Sequence, residues 1–260
     1  MSAPVFYIAD PDLQQAQVDQ EIPLSGSEGR HAVSVLRVKT GEDVEIVDGC
    51  GLRIHGTVVS VSGKENLRVR VSKVLIEPIA PLRITVVQAL PKGEHGELSI
   101  DLLTQVGVDV IVPWAAGRSI TRWAPDRIEK ARGKWQAAVT AAAKQARRAR
   151  WPVLGDLATT VQVAELITGA GAAIVLHEEA ITPLLAVPIA DREGASDVVL
   201  IVGPEGGIGE DEREIFRAAG AFEARLGPSV LRSSAAGAVA TAVLSATRNW
   251  GRPSVGGSTL

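Results

Sequence analysis

The sequence predicts an α/β protein in two parts: a small β-barrel over residues 1–78, then an α/β domain with a parallel sheet over residues 79–250. Three observations carry this. The first 78 residues hold short Val-, Ile- and Leu-rich runs divided by turn residues; from Arg83 onward such runs alternate with helical stretches of ten residues or more; and 260 residues exceed one small domain. Hydrophobic residues at 46% against 22% charged supply a sizeable core and exclude a disordered chain.

In the first part the expected strands are Val5–Ile8, Asp43–Val47, Leu52–Val61 and Leu67–Ile76, with one helical stretch near Glu28–Arg37. Asp48-Gly49-Cys50-Gly51 and Ser62-Gly63-Lys64-Glu65-Asn66 supply the turns. Pro78 and Pro81 bracket a linker. The second part places strands at Ile84–Leu90, Val108–Val112, Ala173–Leu176, Val198–Val202 and Phe222–Leu226. Runs this short and continuously apolar fit strands buried on both faces of a parallel sheet. Residues 251–260, rich in Gly, Ser and Pro, read as a disordered tail.

No signal peptide is expected, since Asp10 and Asp12 fall where one would be apolar. Ser233–Thr247 is apolar and free of charge but shorter than the roughly 20 residues that span a bilayer, and it reads as a tightly packed helix. No membrane association is expected. The single cysteine, Cys50, excludes a disulfide framework and a zinc site built on several thiolates, and suits the cytoplasm.

The net charge of −3 is an average over unlike segments. Residues 1–78 carry 8 Lys/Arg against 11 Asp/Glu, residues 79–150 carry 12 against 6, and residues 151–260 carry 7 against 13. Lys144, Arg147 and Arg148 stand at i, i+3 and i+4 of an Ala-rich helical pattern, with Arg150 close behind and no acidic residue between Lys130 and Gly155. Taken alone, such a helix face is more often merely solvated. The missing acidic partners favour a surface that meets nucleic-acid phosphates.

Two glycine-containing loops follow strands and open helices. Val198–Val202 runs into Gly203-Pro204-Glu205-Gly206-Gly207-Ile208-Gly209, then a helix with acids in its first turn. Leu226-Gly227-Pro228-Ser229-Val230-Leu231-Arg232 leads into the helix from Ser233, which Ser233 or Ser234 would cap. Alone, each loop fits a tight turn as well as a ligand site. Together, on neighbouring strands, they would frame a pocket of backbone and apolar groups with Arg232 as its main charge, suited to a nucleoside. A dinucleotide fingerprint, a phosphate-binding P-loop and a nucleophile elbow are all absent, and His31, His55, His95 and His177 show no metal-ligand spacing, so no metal is expected.

Gly203–Gly207 with Leu226-Gly227-x-x-Val230-Leu231-Arg232 resembles the signature of SPOUT-class methyltransferases, and within them the RsmE family of ribosomal small-subunit RNA (uracil-N3)-methyltransferases. His31-x-x-x-x-Leu36-Arg37, Gly41 and Asp48-Gly49 are similar to that family's PUA-like barrel. Gln88-Ala-Leu-Pro-Lys-Gly93, Glu97, Thr104, Gly107-Val108, Pro113, Arg118-Ser119, Gln145, Arg148 and Pro152 are similar to its catalytic domain. The chain departs from the pattern at Ser234-Ala235, where the family often has Glu-Thr, at Leu102 and Gln105, and at Gly117, where the family has Glu.

The resemblance implies a SPOUT-type domain with a C-terminal trefoil knot, a homodimer, and S-adenosylmethionine as cofactor. The reaction would be methyl transfer to N3 of a uridine in 16S ribosomal RNA of the small subunit. Gly203, Pro204, Glu205, Gly206 and Gly207 would hold the cofactor, with Leu226, Gly227 and Leu231 from the second loop and Leu176 and His177 at another strand end. Arg232 would stabilise charge developing on the base; it cannot act as a base itself near neutral pH. Arg118, Arg122, Lys144, Arg147, Arg148 and Arg150 would face RNA, with His31 and Arg37 from the barrel. Two alternatives stay open: a non-catalytic RNA-binding or ribosome-assembly factor of the same fold, and a SPOUT enzyme with another RNA target.

Overall fold

The computed structural model describes residues 3–9, 11–189 and 196–250; the tail expected over 251–260 lies outside them. The chain divides into two compact units. Among the described residues, one comprises those up to Pro78 together with Ala143–Trp151, and the other comprises Ile79–Ala142 and those from Pro152 to Trp250. The first division falls between Pro78 and Ile79, and residues 143–151 return to the first unit.

In the first unit, β1 (Val5–Tyr7), β2 (Glu21–Leu24), β3 (Asp43–Val47), β4 (Leu52–Ser62) and β5 (Asn66–Ile76) form one sheet in the order β1-β3-β4-β5-β2. β1 runs parallel to β3 and the remaining pairs are antiparallel. β1 and β2 are the two edges, yet Phe6, Ile22 and Leu24 share one core with Ile46, Ile54 and Val69. The sheet therefore curls over a single apolar centre. β2 was not foreseen because Pro23 interrupts its pattern; Pro is tolerated there because the strand lies at an edge. The helix expected over Glu28–Arg37 is α1 (Gly26–Arg30) running into a wider π turn over His31–Val35, and it stops where Arg37 takes a positive φ of 57°.

Residues 143–151 are held within this unit by specific contacts. Trp151 stacks on Tyr7 with ring centroids 4.1 Å apart, and its backbone N–H donates to the Gly49 carbonyl at 2.8 Å. Burial, then Cys50 and Asp48, push the Tyr7 phenol above its usual pKa.

The second unit is a six-stranded parallel sheet in the order β11-β9-β10-β6-β7-β8, with β6 Leu82–Ala89, β7 Val110–Trp114, β8 Val153–Leu154, β9 Ala172–Leu176, β10 Ser196–Val202 and β11 Phe222–Ala224. Alternate residues face opposite layers: Ile84, Val86, Val198, Leu200 and Val202 join one core, and Val87, Ala89, Val199 and Ile201 the other. Both faces are apolar because helices cover both.

The helices are α2 (His95–Gln105), α3 (Ile128–Gln145), α4 (Thr160–Gly169), α5 (Glu210–Ala218) and α6 (Ser233–Arg248). α6 is built of small residues because it lies close against the sheet. A methyl group at Gly237 would already press on Val86 and Leu103 at 3.1 Å and on Val202 at 3.2 Å. Among the described residues, no helix is long and apolar enough to cross a membrane.

Candidate active site

Strand register brings the site together. Gln88 near the end of β6 pairs with Val202 at the end of β10; Val175 of β9 pairs with Ile201; and Leu176 pairs with Ala224 of β11. Four neighbouring strands thus finish along one edge of the sheet. After β6 the chain moves outward to β7, whereas after β10 it crosses β9 to β11, so β6 and β10 flank a point where the connections diverge. Open α/β sheets bind ligands at such a point.

The loops from these ends enclose a cavity of about 390 Å³. Gly203, Pro204, Glu205, Gly207, Leu231 and Arg232 line it, with Leu176 and His177 from the end of β9. A smaller cavity of about 110 Å³ shares Leu176, His177 and Leu231 and adds Leu226 and Gly227. Gly207 has a positive φ of 70°, which favours glycine, and its N–H closes a turn on the Pro204 carbonyl at 2.9 Å. Gly203 is required for closeness: a Cβ there would come within 2.7 Å of the Ile208 side chain. Gly206 is the exception among the expected cofactor residues. It lies against Arg118, which donates to its carbonyl at 3.3 Å, and does not line either cavity.

A chain of buried hydrogen bonds fixes the two glycine loops. Ser99 of α2 donates to Gln88 Oε1 at 2.9 Å, Gln88 Nε2 donates to Ser233 Oγ at 3.1 Å, and Ser233 Oγ donates to the Gly203 carbonyl at 2.6 Å. Gln88 and Ser99 are wholly buried, so each polar atom needs such a partner. Ser233 therefore serves the sheet edge and does not cap α6. The N-cap is Arg232, without a side-chain cap bond, and the cap expected from Ser233 or Ser234 is not formed. Ser234 is buried as well.

Glu205 anchors its loop: both carboxylate oxygens accept from the Lys92 N–H, at 3.1 and 3.3 Å. His177 Nδ1 accepts from the Glu179 N–H at 3.2 Å. The Arg232 side chain is exposed, lines the larger cavity, and makes no hydrogen bond or ion pair with the described residues. A full positive charge at the cavity wall without an internal partner is available to an anion forming there.

Gly117, where the resembled family carries Glu, faces another carboxylate. Its N–H donates to Glu212 Oε1 at 2.8 Å, and the same carboxylate receives Thr160 Oγ1 at 3.0 Å and the Gly209 N–H at 3.2 Å. A glutamate at 117 would set two like charges together. Here α5 supplies the carboxylate at that place.

The continuous basic helix face is not formed. α3 ends at Gln145, and Arg147 has a positive φ of 56°, so Arg147 and Arg148 leave the helix that carries Lys144. The side chains of Lys144, Arg147 and Arg150 are also engaged within the first unit. Lys144 pairs with Glu28, Arg147 donates to the Ala3 carbonyl, Arg150 donates to the Glu77 carbonyl at 3.0 Å, and Arg148 has a partner of its own. Arg118 and Arg122 are exposed in the second unit, Arg122 donating to the Gly117 carbonyl at 2.9 Å. His31 and Arg37 are exposed in the first, His31 packing edge-on to Phe6.

Sequence reasoning missed His95 and Ala236, both of which line the larger cavity. His95 begins α2, and nothing in its local sequence pointed towards a loop over a hundred residues away. No group of His, Cys, Asp or Glu among the described residues could hold a metal ion.

The chain matches two family profiles, an RNA methyltransferase domain over residues 78–245 and an RNA methyltransferase PUA domain over residues 24–72. It is 42% identical over 246 residues to ribosomal RNA small subunit methyltransferase E of Mycobacterium bovis, covering 92% of this chain and 90% of the relative. It is 26% identical to the Bacillus subtilis protein of the same name, over 92% and 95% of the two chains. Among solved structures, a Legionella pneumophila protein in complex with S-adenosylmethionine superimposes with a TM-score of 0.81 at 27% identity, over 95% of this chain and 98% of that one.

Proposed function

This chain belongs to the ribosomal RNA small subunit methyltransferase E family, which uses S-adenosylmethionine to methylate ribosomal RNA, and we propose that its target is N3 of a uridine in 16S RNA. The observation that carries the reading is the Arg232 guanidinium, which has no partner among the described residues, at the wall of a cavity framed by strand-end loops.

The site suits the cofactor. A Cβ at Gly227 would meet nothing within 4 Å, so this loop leaves open space beside the smaller cavity. The two adjoining cavities fall in the size range of small-molecule sites and offer apolar Leu176, Val230 and Leu231 with few charged groups. Gly203, Pro204, Gly207, Leu226, Gly227 and Leu231 would hold the cofactor, with Leu176 and His177 at the neighbouring strand end. When bound, S-adenosylmethionine supplies an electrophilic methyl group on a sulfonium.

What remains for the protein is to hold the acceptor in line and to stabilise charge on the uracil ring as N3 loses its proton. Arg232 supplies the cation. The Ser99–Gln88–Ser233–Gly203 hydrogen bonds keep the loop that carries it in place. Arg118 and Arg122, and His31 and Arg37 in the first unit, are the exposed groups offered to RNA phosphates.

The same reading includes a trefoil knot, a homodimer and work in the cytoplasm on the small subunit. Insertion of β10 between β6 and β9, both already laid down, supports the knot. The exposed Leu98, Val230 and Val239 support a self-association surface. The test is nucleoside mass spectrometry of 16S RNA from cells lacking the gene: N3-methyluridine should disappear and return on complementation. Its persistence would exclude this target.

A further inference from the structure

The reaction proposed above requires a group to take the N3 proton, and Arg232 cannot. The titratable side chains that line the larger cavity besides Arg232 are His95, His177, Glu178 and Glu205. Glu205 is held by the Lys92 N–H through both oxygens, so its carboxylate is engaged by the loop that follows β6. His177 and Glu178 also line the smaller cavity with Leu226 and Gly227, which places them on the cofactor side, and His177 Nδ1 is taken by the Glu179 N–H. His95 lines only the larger cavity, the one that Arg232, Ser233 and Ser234 share. It is half-buried, and its imidazole makes no hydrogen bond with the described residues.

His95 is also positioned. It stands one helical turn before Ser99 on α2, so the two lie on one face. Ser99 is the residue that binds Gln88, and Gln88 in turn binds Ser233, the neighbour of Arg232. One buried chain of hydrogen bonds therefore sets both the helix face carrying His95 and the loop carrying Arg232.

We propose that His95 is the general base of methyl transfer, an inference that rests on the N3 reading. As the N3 electron pair forms the new N–C bond, the S–C bond of the donor breaks and its pair stays on sulfur. The N3 proton passes to a ring nitrogen of His95, which later releases it to water, and Arg232 faces the charge spread over the uracil oxygens. A neutral imidazole is an acceptor near physiological pH, where few other side chains exchange protons. The charged groups around it are Arg232 from the α6 loop, Glu205 from the β10 loop, His177 and Glu178 after β9, and Glu94 and Glu97 on either side in sequence.

The test compares wild type with His95→Gln on target RNA, following S-adenosylmethionine binding by calorimetry in parallel. His95→Gln should lower kcat about 10²–10⁴-fold and leave the cofactor dissociation constant within about threefold. The acidic limb of the kcat–pH profile should be lost in the variant. A target carrying 5-fluorouridine, whose N3–H is more acidic, should restore the variant more than it accelerates wild type. Unchanged kcat, a retained acidic limb, or equal loss of cofactor binding would each overturn the role of His95. Wild-type enzyme that methylates a carbon or a ribose hydroxyl would instead overturn the N3 reading itself.

Discussion

The Ser233 hydroxyl donates to the Gly203 carbonyl at 2.6 Å, tying the start of α6 to the loop that follows β10 across 30 residues of sequence. The same oxygen receives the Gln88 amide, so one small side chain satisfies a strand end and a loop together. Ser233→Ala would leave the Gly203 carbonyl and the Gln88 donor without that partner, and should cost about 1–3 kcal/mol of stability. Calorimetry should show weaker S-adenosylmethionine binding, and thermal unfolding a lower Tm. Wild-type values for both would show that this bond does not set the loop.

The Arg232 side chain holds no partner among the described residues, so truncating it leaves none of their buried groups stranded. Arg232→Ala should fold normally and bind S-adenosylmethionine as wild type does, while kcat on target RNA falls about 10²–10³-fold, the size expected for one lost stabilising donor. Arg232→Lys should fall between the two. A large loss of cofactor affinity would reassign Arg232 to cofactor binding.

The basic residues separate into two groups that mutation should distinguish. Arg118→Glu with Arg122→Glu should weaken RNA binding and reduce the slope of log affinity against log salt by about 2. Arg147→Glu should instead lower the stability of the first unit, because the Arg147 side chain donates to the Ala3 carbonyl and a glutamate could not. Melting curves and salt titrations on both variants decide between these roles.

Glu223 on β11 accepts from Arg213 of α5 through two bonds, at 3.0 and 2.8 Å. These hydrogen bonds, opposed by burial and helped by the charges of Arg213 and by Arg217, hold its carboxyl below the usual range. A lowered folded-state value means the stabilisation is complete above the ordinary carboxylate range and is lost as pH falls through the folded value. Glu223→Gln should therefore cost about 1 kcal/mol at pH 7, and the gap from wild type should close as the pH falls below the ordinary carboxylate range. A gap that stays constant across pH would mean the ion pair contributes nothing.

The architecture of each unit could be read from periodicity, because apolar runs that must be buried on one face or two declare themselves locally. Val198–Val202 and Ala173–Leu176 were legible as strands for this reason, and the glycine loops after them were legible because their backbone geometry restricts residue type. β2 escaped because Pro23 breaks its pattern, and β8 because two residues carry no periodicity. Spacing on a helix was a poor guide at Lys144–Arg148: a single left-handed residue, Arg147, redirects the chain, and local propensity does not anticipate that turn. By itself the sequence determined the fold class, the family and the loops that border the cavity. Only the tertiary structure decided that His95 stands in the same cavity as Arg232 and that Ser233 clasps Gly203 instead of capping its helix. It likewise decided that Lys144, Arg147 and Arg150, three of the expected RNA-facing cations, are bound up within the first unit. Such relations are set by which strand ends become neighbours in the sheet, and hydrogen bonds between distant residues leave no periodic trace along the chain.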